Sequence, residues 1–328
     1  MKILLLGNFG SSVHSIHGLA EGLEECGYEC VRVDSKIKRR PKVPTFPEYV
    51  AQKAEDCDTV LICKGHGPGH IIGLPDYNQI IEKCPDTTYL LWDSVSGSGC
   101  GPPDRPKHIT PRGMPCSRII LTGTEGARWF RKQGYEGRIA QIYQGCRHRI
   151  WKPGTYPRGE QNRLCFFGIG SYTGDGGRRP KFEAIRNAGF KIFHSNHLFH
   201  EKAANAYWNS AICLNFVCGD LTSNRLMRIL SSGGFCLTEQ NVDIDHSFTD
   251  GVELAKFKAR DIPGMLEQVK RYMAQPELRD EIAMRGHEWT RDKSWAHQAE
   301  KIVRFIQGED IPADGAAGEY ATYQDSTD

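Results

Sequence analysis

Leu164-Cys165-Phe166-Phe167-Gly168-Ile169-Gly170-Ser171-Tyr172-Thr173-Gly174-Asp175-Gly176-Gly177-Arg178-Arg179-Pro180-Lys181 holds the architecture of the chain in miniature. Four apolar residues stop at a glycine, a loop of glycines and hydroxyls follows, and three cations lead into a helical pattern over 181–188. A short apolar run bounded by glycine reads as a buried strand, so the order is strand, glycine loop, helix. That order continues downstream. Lys191-Ile192-Phe193, Ile212-Cys213-Leu214-Asn215-Phe216 and Phe235-Cys236-Leu237-Thr238 are further strands, and a helix over 224–230 ends at Gly233-Gly234. Upstream, Ile3-Leu4-Leu5-Leu6 breaks at Gly7-Asn8-Phe9-Gly10-Ser11-Ser12, and Ile16, Leu19, Ala20 and Leu23 follow at helical spacing. Cys30-Val31-Arg32-Val33, Thr59-Val60-Leu61-Ile62-Cys63, Tyr89-Leu90-Leu91-Trp92, Ile119-Ile120-Leu121 and Ile139-Ala140-Gln141-Ile142 extend this first series. Strands alternating with helices make a parallel sheet covered on both faces. The pattern predicts an α/β protein of two Rossmann-like domains with an interdomain cleft.

A length of 328 residues suits two domains. The Pro- and Gly-rich stretch 151–161 reads as a linker, which gives an N-terminal domain over 1–154 and a C-terminal one over 155–290. From 262 to 306 the chain reads as successive amphipathic helices, with Pro276 at a helix start and Gly286 at a break; the last of them, 291–307, is expected to pack back on the first domain. The segment 308–328 holds six acidic residues and no Lys or Arg, and reads as a disordered tail.

Apolar content of 39% and charged content of 25% exclude collagen-like, coiled-coil and disordered classes. The opening apolar run stops at Gly7, short of a signal-peptide core, and no later run reaches the ~18 apolar residues of a membrane span. The expectation is a cytoplasmic protein with no membrane partner. The 12 cysteines are scattered, several inside strands, and read as reduced thiols. Without the acidic tail the formal charge rises from +2 to +8, which suits an anionic ligand: a nucleoside diphosphate or a nucleic-acid backbone.

The loop from Gly168, with Gly170, Ser171, Arg178 and Arg179, offers N–H donors and fixed cations to a leaving diphosphate. Asn224-Arg225 opens a helix that Ser223 or Thr222 can cap; an Arg on that first turn can chelate phosphate, aided by the helix dipole. The stretch 211–238, then Phe248-Thr249-Asp250-Gly251-Val252-Glu253-Leu254 and Pro276-Glu277-Leu278-Arg279, with Gln144-Gly145-Cys146-Arg147 and Trp151-Lys152-Pro153 before it, resembles GT-B glycosyltransferases of the CgeB-like, group 1 kind. The resemblance covers about 119–306 and is only architectural before that. It implies a nucleotide-diphosphate sugar as co-substrate, a UDP-sugar first, with no resident metal or other cofactor. It implies transfer with retention to an acceptor hydroxyl by a hexosyl- or pentosyltransferase. It also implies that Arg225 and the Gly168 to Gly170 loop face the donor phosphates and that Gly233 lies by the nucleotide. Relatives carry Glu where this chain has Arg228, and that carboxylate accepts hydrogen bonds from ribose hydroxyls; Arg cannot accept one. Glu239 is the substitute on offer.

For acceptor chemistry the candidates are Asp93, after the 89–92 strand, and His14, His17, His66 and His70 on N-domain loops; Asp93, His66 and His14 are the catalytic set read here. Asn8 and the basic residues Lys38, Arg39, Arg40, Arg105 and Lys107 are read as acceptor-binding, which leaves a polyanion open as acceptor, including hydroxymethylated bases in DNA as phage enzymes use. Cys63, His66 and His70, or His194, His197 and His200, have ligand-like composition without paired spacing, so no metal site is expected. The competing readings are a noncatalytic nucleotide-binding module, through Arg228, and a nucleotide-sugar epimerase of the same architecture.

Overall fold

The computed structural model describes residues 1–10, 15–35, 45–64, 74–92, 116–132, 134–154, 162–167, 177–216 and 223–316. The chain forms two compact units. The first holds the described residues up to Gln144 together with those from Trp295 on, and the second holds Gly145–Ser294.

In the first unit the strands are β1 (Lys2–Gly7), β2 (Glu29–Asp34), β3 (Thr59–Lys64), β4 (Thr87–Leu91), β5 (Arg118–Leu121) and β6 (Arg138–Gln141), in the order β2-β1-β3-β4-β5-β6. All pairs are parallel, with Leu4 opposite Val31 and Val60. Successive side chains of a strand point to opposite faces, and β1 feeds both. Leu4 and Leu6 join Val50, Ile80, Ile81 and Phe130 of α2 (Phe46–Ala54), α3 (Leu74–Lys83) and α4 (Thr124–Lys132). Ile3 and Leu5 join Leu19 and Leu23 of α1 (Ser15–Glu25) and Ala299, Ile302 and Val303 of α11 (Trp295–Ile306). A strand buried on both faces has to be continuously apolar, as 3–6 is.

Three devices hold α11 in this unit. Gly18 and Gly22 of α1 leave room only for Trp295. Arg118 Nη1 and Arg138 Nη1 donate to Ile306 O and Phe305 O at 2.8 and 3.0 Å, satisfying carbonyls at the helix end. Asp314 accepts from Tyr143 N at 2.8 Å, Gln298 Nε2 at 3.2 Å and Lys301 Nζ at 2.5 Å. Composition alone suggests a disordered tail from 308, but its described part, to Ala316, is fixed by that buried carboxylate.

The second unit contains β7 (Leu164–Phe167), β8 (Ile192–Ser195), β9 (Ile212–Asn215), β10 (Cys236–Glu239) and β11 (Ala255–Phe257), parallel in the order β11-β10-β9-β7-β8. Phe166, Leu214 and Leu237 face α5 (Arg178–Asn187) and α9 (Ile262–Met273). Cys165, Cys213 and Cys236 face α6 (His200–Trp208) and α7 (Asn224–Ser231). The remaining helices are α8 (Val242–Ser247) and α10 (Pro276–Trp289).

Two local expectations are corrected. Gly286 does not break a helix; it sits inside α10, where a Cβ would strike Glu253 O and Leu230. The stretch read as a linker begins inside the second unit, because Trp151 is buried there and its carbonyl accepts from Ser231 Oγ at 2.6 Å. Pro and Gly mark irregular backbone, and irregular backbone can still be packed. Among the described residues no helix is long and apolar enough to cross a membrane.

Candidate nucleotide site

In a doubly wound sheet, ligands bind beyond the carboxyl ends of the strands, where the strand order reverses. In the second unit that place is between β7 and β9: the chain leaves β7 toward β8 on one side, then crosses to build β9, β10 and β11 on the other. Two strand-end carbonyls point there, Phe167 O from β7 and Phe216 O just past β9. Arg225 spans them. Its Nε donates to Phe167 O at 2.9 Å and its Nη1 to Phe216 O at 3.3 Å and Asn215 Oδ1 at 3.4 Å, while the guanidinium lies 4.3 Å over the Phe166 ring. Its Nη2 makes no hydrogen bond among the described residues.

Arg225 reaches this point because it stands in the first turn of α7. Ser223 caps the helix, accepting from Leu226 N at 3.3 Å. The helix dipole therefore adds to the guanidinium charge at the same edge. Arg178, in the first turn of α5, donates Nε to Phe216 O at 3.3 Å and lies 5.2 Å over Phe166. Burial first, and the Arg178 charge second, lower the pKa of the Arg225 guanidinium to about 9. Both the desolvation and the repulsion are relieved by a bound anion.

Lys181 and Glu239 form a buried ion pair at the same edge, Nζ to Oε1 2.6 Å, with side-chain exposures of 2% and 8%. One oxygen of Glu239 is thus committed to Lys181. Asn224, Arg225, Arg178 and Glu239 are the sequence-predicted donor residues that the fold brings together.

Three others stand elsewhere. Arg179 pairs with Glu183 at 2.8 Å on the exposed side of α5, because adjacent helical residues point about 100° apart. Gly233 lies between the far end of α7 and the amino end of β10, away from the Arg225 edge. Its φ of 67° makes the helix-ending turn, and a Cβ there would press on Trp208 and Pro153. Arg228 is one turn along α7, 5.0 Å over the Trp151 ring, with its pKa lowered chiefly by burial.

Gly168, Gly170, Ser171, Asp93, His66, His70, His14, Lys38, Arg39, Arg40, Arg105 and Lys107 lie outside the described residues. In the first unit Asn8 follows β1 and accepts from Gly10 N at 3.0 Å, and His17 meets Phe9 O at 3.2 Å. His194 packs its ring against Phe166 and Phe182. The pairing of Lys181 with Glu239, and the residues Asn215 and Thr238, are not legible from the sequence, which offers Lys181 only as one of three cations at the start of α5. The signal for Lys181 was its place beside Phe182 and Ile185 on the buried face of α5, and for Asn215 and Thr238 a polar residue ending an apolar strand.

Residues 161–304 match the family model described as glycosyl transferase-like. This stretch is a glycosyl transferase-like domain. It contains the whole Arg225 site and runs into α11. Over 94% of its length the chain is also similar to sucrose-phosphate synthase from Thermosynechococcus elongatus, at 11% identity, 98% of that chain and a TM-score of 0.66. It is similar to Anabaena HepE in complex with UDP-glucose at 10% identity, covering 94% of this chain and 100% of that one, TM-score 0.65. For the E. coli trehalose-6-phosphate structure bound with UDP-2-fluoro glucose the values are 9%, 94%, 100% and 0.63. At such identities the likeness is one of fold. The fold is GT-B, with one parallel sheet of six strands and one of five, each in its own α/β unit. Among curated proteins no relative matches the sequence.

Proposed function

We propose that the protein is a glycosyltransferase that takes a sugar from a nucleoside-diphosphate sugar, a UDP-sugar first, and transfers it with retention to an acceptor hydroxyl. The observation that carries this reading is Arg225, locked by two strand-end carbonyls at the switch point, its Nη2 without a hydrogen bond among the described residues, and a helix amino end behind it. As the bond from the anomeric carbon to the diphosphate oxygen breaks, negative charge collects on the diphosphate. Arg225, Arg178 and the α7 dipole are already in place to meet it, so no reorganisation is needed at that moment. The acceptor oxygen forms the new bond on the same face, and its proton passes to the leaving diphosphate. Asp93, His66 and His14 are the side chains proposed to orient that acceptor.

The test is a thermal-shift series with UDP, ADP, GDP and UDP-glucose on the intact protein. A ligand at about 100 times its Kd stabilises the folded state by roughly 2.7 kcal/mol. A shift selective for one nucleotide supports the reading, and release of free nucleotide from its sugar on adding glycan, protein or hydroxymethylated DNA then finds the acceptor. No shift with any nucleotide defeats it. A shift without turnover of any nucleotide sugar supports a binding module instead, the reading favoured by Arg228 standing in place of a carboxylate.

A further inference from the structure

The Arg225 fork is held from behind by a buried amide. Asn215 ends β9, fully buried, and its Oδ1 accepts from Arg225 Nη1 at 3.4 Å and from Ser223 Oγ at 3.0 Å. Its Nδ2 donates to Thr238 Oγ1, on the next strand, at 3.0 Å. Thr238 is also fully buried, and its hydroxyl has backbone carbonyls to donate to, Asn215 O at 3.2 Å and Glu239 O at 3.4 Å. A hydroxyl that gives its proton to a carbonyl presents a lone pair to Nδ2. The amide is thereby oriented: flipped, it would set an NH2 group against two donors, the Ser223 hydroxyl and the Arg225 guanidinium.

We infer that Asn215, oriented by Thr238, is the positioning residue of the anion site, holding the Arg225 fork and the Ser223 cap in one register so that Nη2 faces the ligand. The inference rests on the nucleotide reading for its consequence, but its geometry stands apart from it. One oxygen serves both the side chain that meets the anion and the residue that starts the helix. Losing it frees the guanidinium to turn about its long side chain and loosens the first turn of α7 together. Arg225 keeps its charge and loses its aim.

Two readouts test this. The first is the rate at which phenylglyoxal modifies Arg225, resolved by peptide mass spectrometry; it needs no nucleotide. Asn215→Leu and Thr238→Val should raise that rate about fivefold, and Thr238→Ser, which keeps the hydroxyl, should restore it. The second is UDP affinity by calorimetry, which should weaken about tenfold in Asn215→Leu and show no further loss when the same change is made in an Arg225→Ala background. Wild-type modification rates in both Asn215→Leu and Thr238→Val overturn the inference, as does an undiminished Asn215→Leu effect without Arg225. If Asn215→Leu does not fold, Thr238→Val decides alone. If wild-type protein binds no nucleotide, the donor reading fails while the modification rates still decide the positioning role.

Discussion

At the scale of single residues, charge and burial compete at Arg225. A guanidinium hydrogen-bonded to its ligand contributes about 1.5–3 kcal/mol, so Arg225→Ala should weaken UDP binding about 10- to 100-fold in calorimetry. Arg228→Ala should weaken it less, because Arg228 lies over Trp151, one turn from the open edge. Equal or reversed losses would remove Arg225 from the site. The depressed pKa adds a pH dependence with a definite sign. Above about pH 9 Arg225 sheds its proton and its attraction for the diphosphate, so affinity should fall there. A bound diphosphate stabilises the charged form, so binding near that pH should take up a proton, visible as a buffer-dependent heat. In the free protein the sign is opposite: the unfolded arginine holds its proton more tightly than the buried one, so this group's contribution to stability rises with pH above about 9. Arg225 and Arg178 were legible in the sequence because each opens a helix after a strand, a position that needs only local pattern. Asn215 and Thr238 were not, because their pairing joins residues from two strands whose register no local pattern states.

Helices and strands were legible wherever burial is two-sided. The run 3–6 and the run 164–167 are buried on both faces, so each is apolar throughout and legible as a strand. Helix packing was less legible, since a glycine on a helix announces either a break or a close approach. Gly286 looks like the first and is the second, and α1 repeats the close approach at Gly18 and Gly22. In an open helix, Gly→Ala stabilises by about 1 kcal/mol. Here the new Cβ of Gly22→Ala would strike the Trp295 backbone, which cannot rotate aside, whereas that of Gly18→Ala meets only the Trp295 indole. Overpacking costs about 1–3 kcal/mol and should win at Gly22, lowering the urea midpoint, with a smaller loss at Gly18. A stabilised Gly22→Ala would mean that α1 and α11 do not pack as described.

For the whole molecule, the decisive feature is that the first unit is built from both ends of the described chain, with the second inserted between Gln144 and Trp295. The ends of the insert are tied together: Cys146 N donates to Lys293 O at 2.8 Å, and Cys146 and Ser294 form a bridge. A fragment 1–144 lacks Trp295, Ile302, Val303, Phe305 and Ile306, which bury against Ile3, Leu5, Leu19 and Leu23. At about 1.5–3 kcal/mol for each large apolar side chain, that loss equals the whole stability of an ordinary domain, roughly 5–15 kcal/mol. The fragment should therefore be unfolded by circular dichroism. Joining 1–144 to 295–316 through a short Gly-Ser linker should restore cooperative melting, because Lys293 and Cys146 show that the joined ends start close together. The excised 145–294, with its own two-faced core and the complete Arg225 site, should fold alone and keep its UDP thermal shift. If 1–144 melts cooperatively by itself, α11 is an accessory of the first unit rather than part of its core. If 145–294 folds but loses UDP, the nucleotide is held by more than the Arg225 edge.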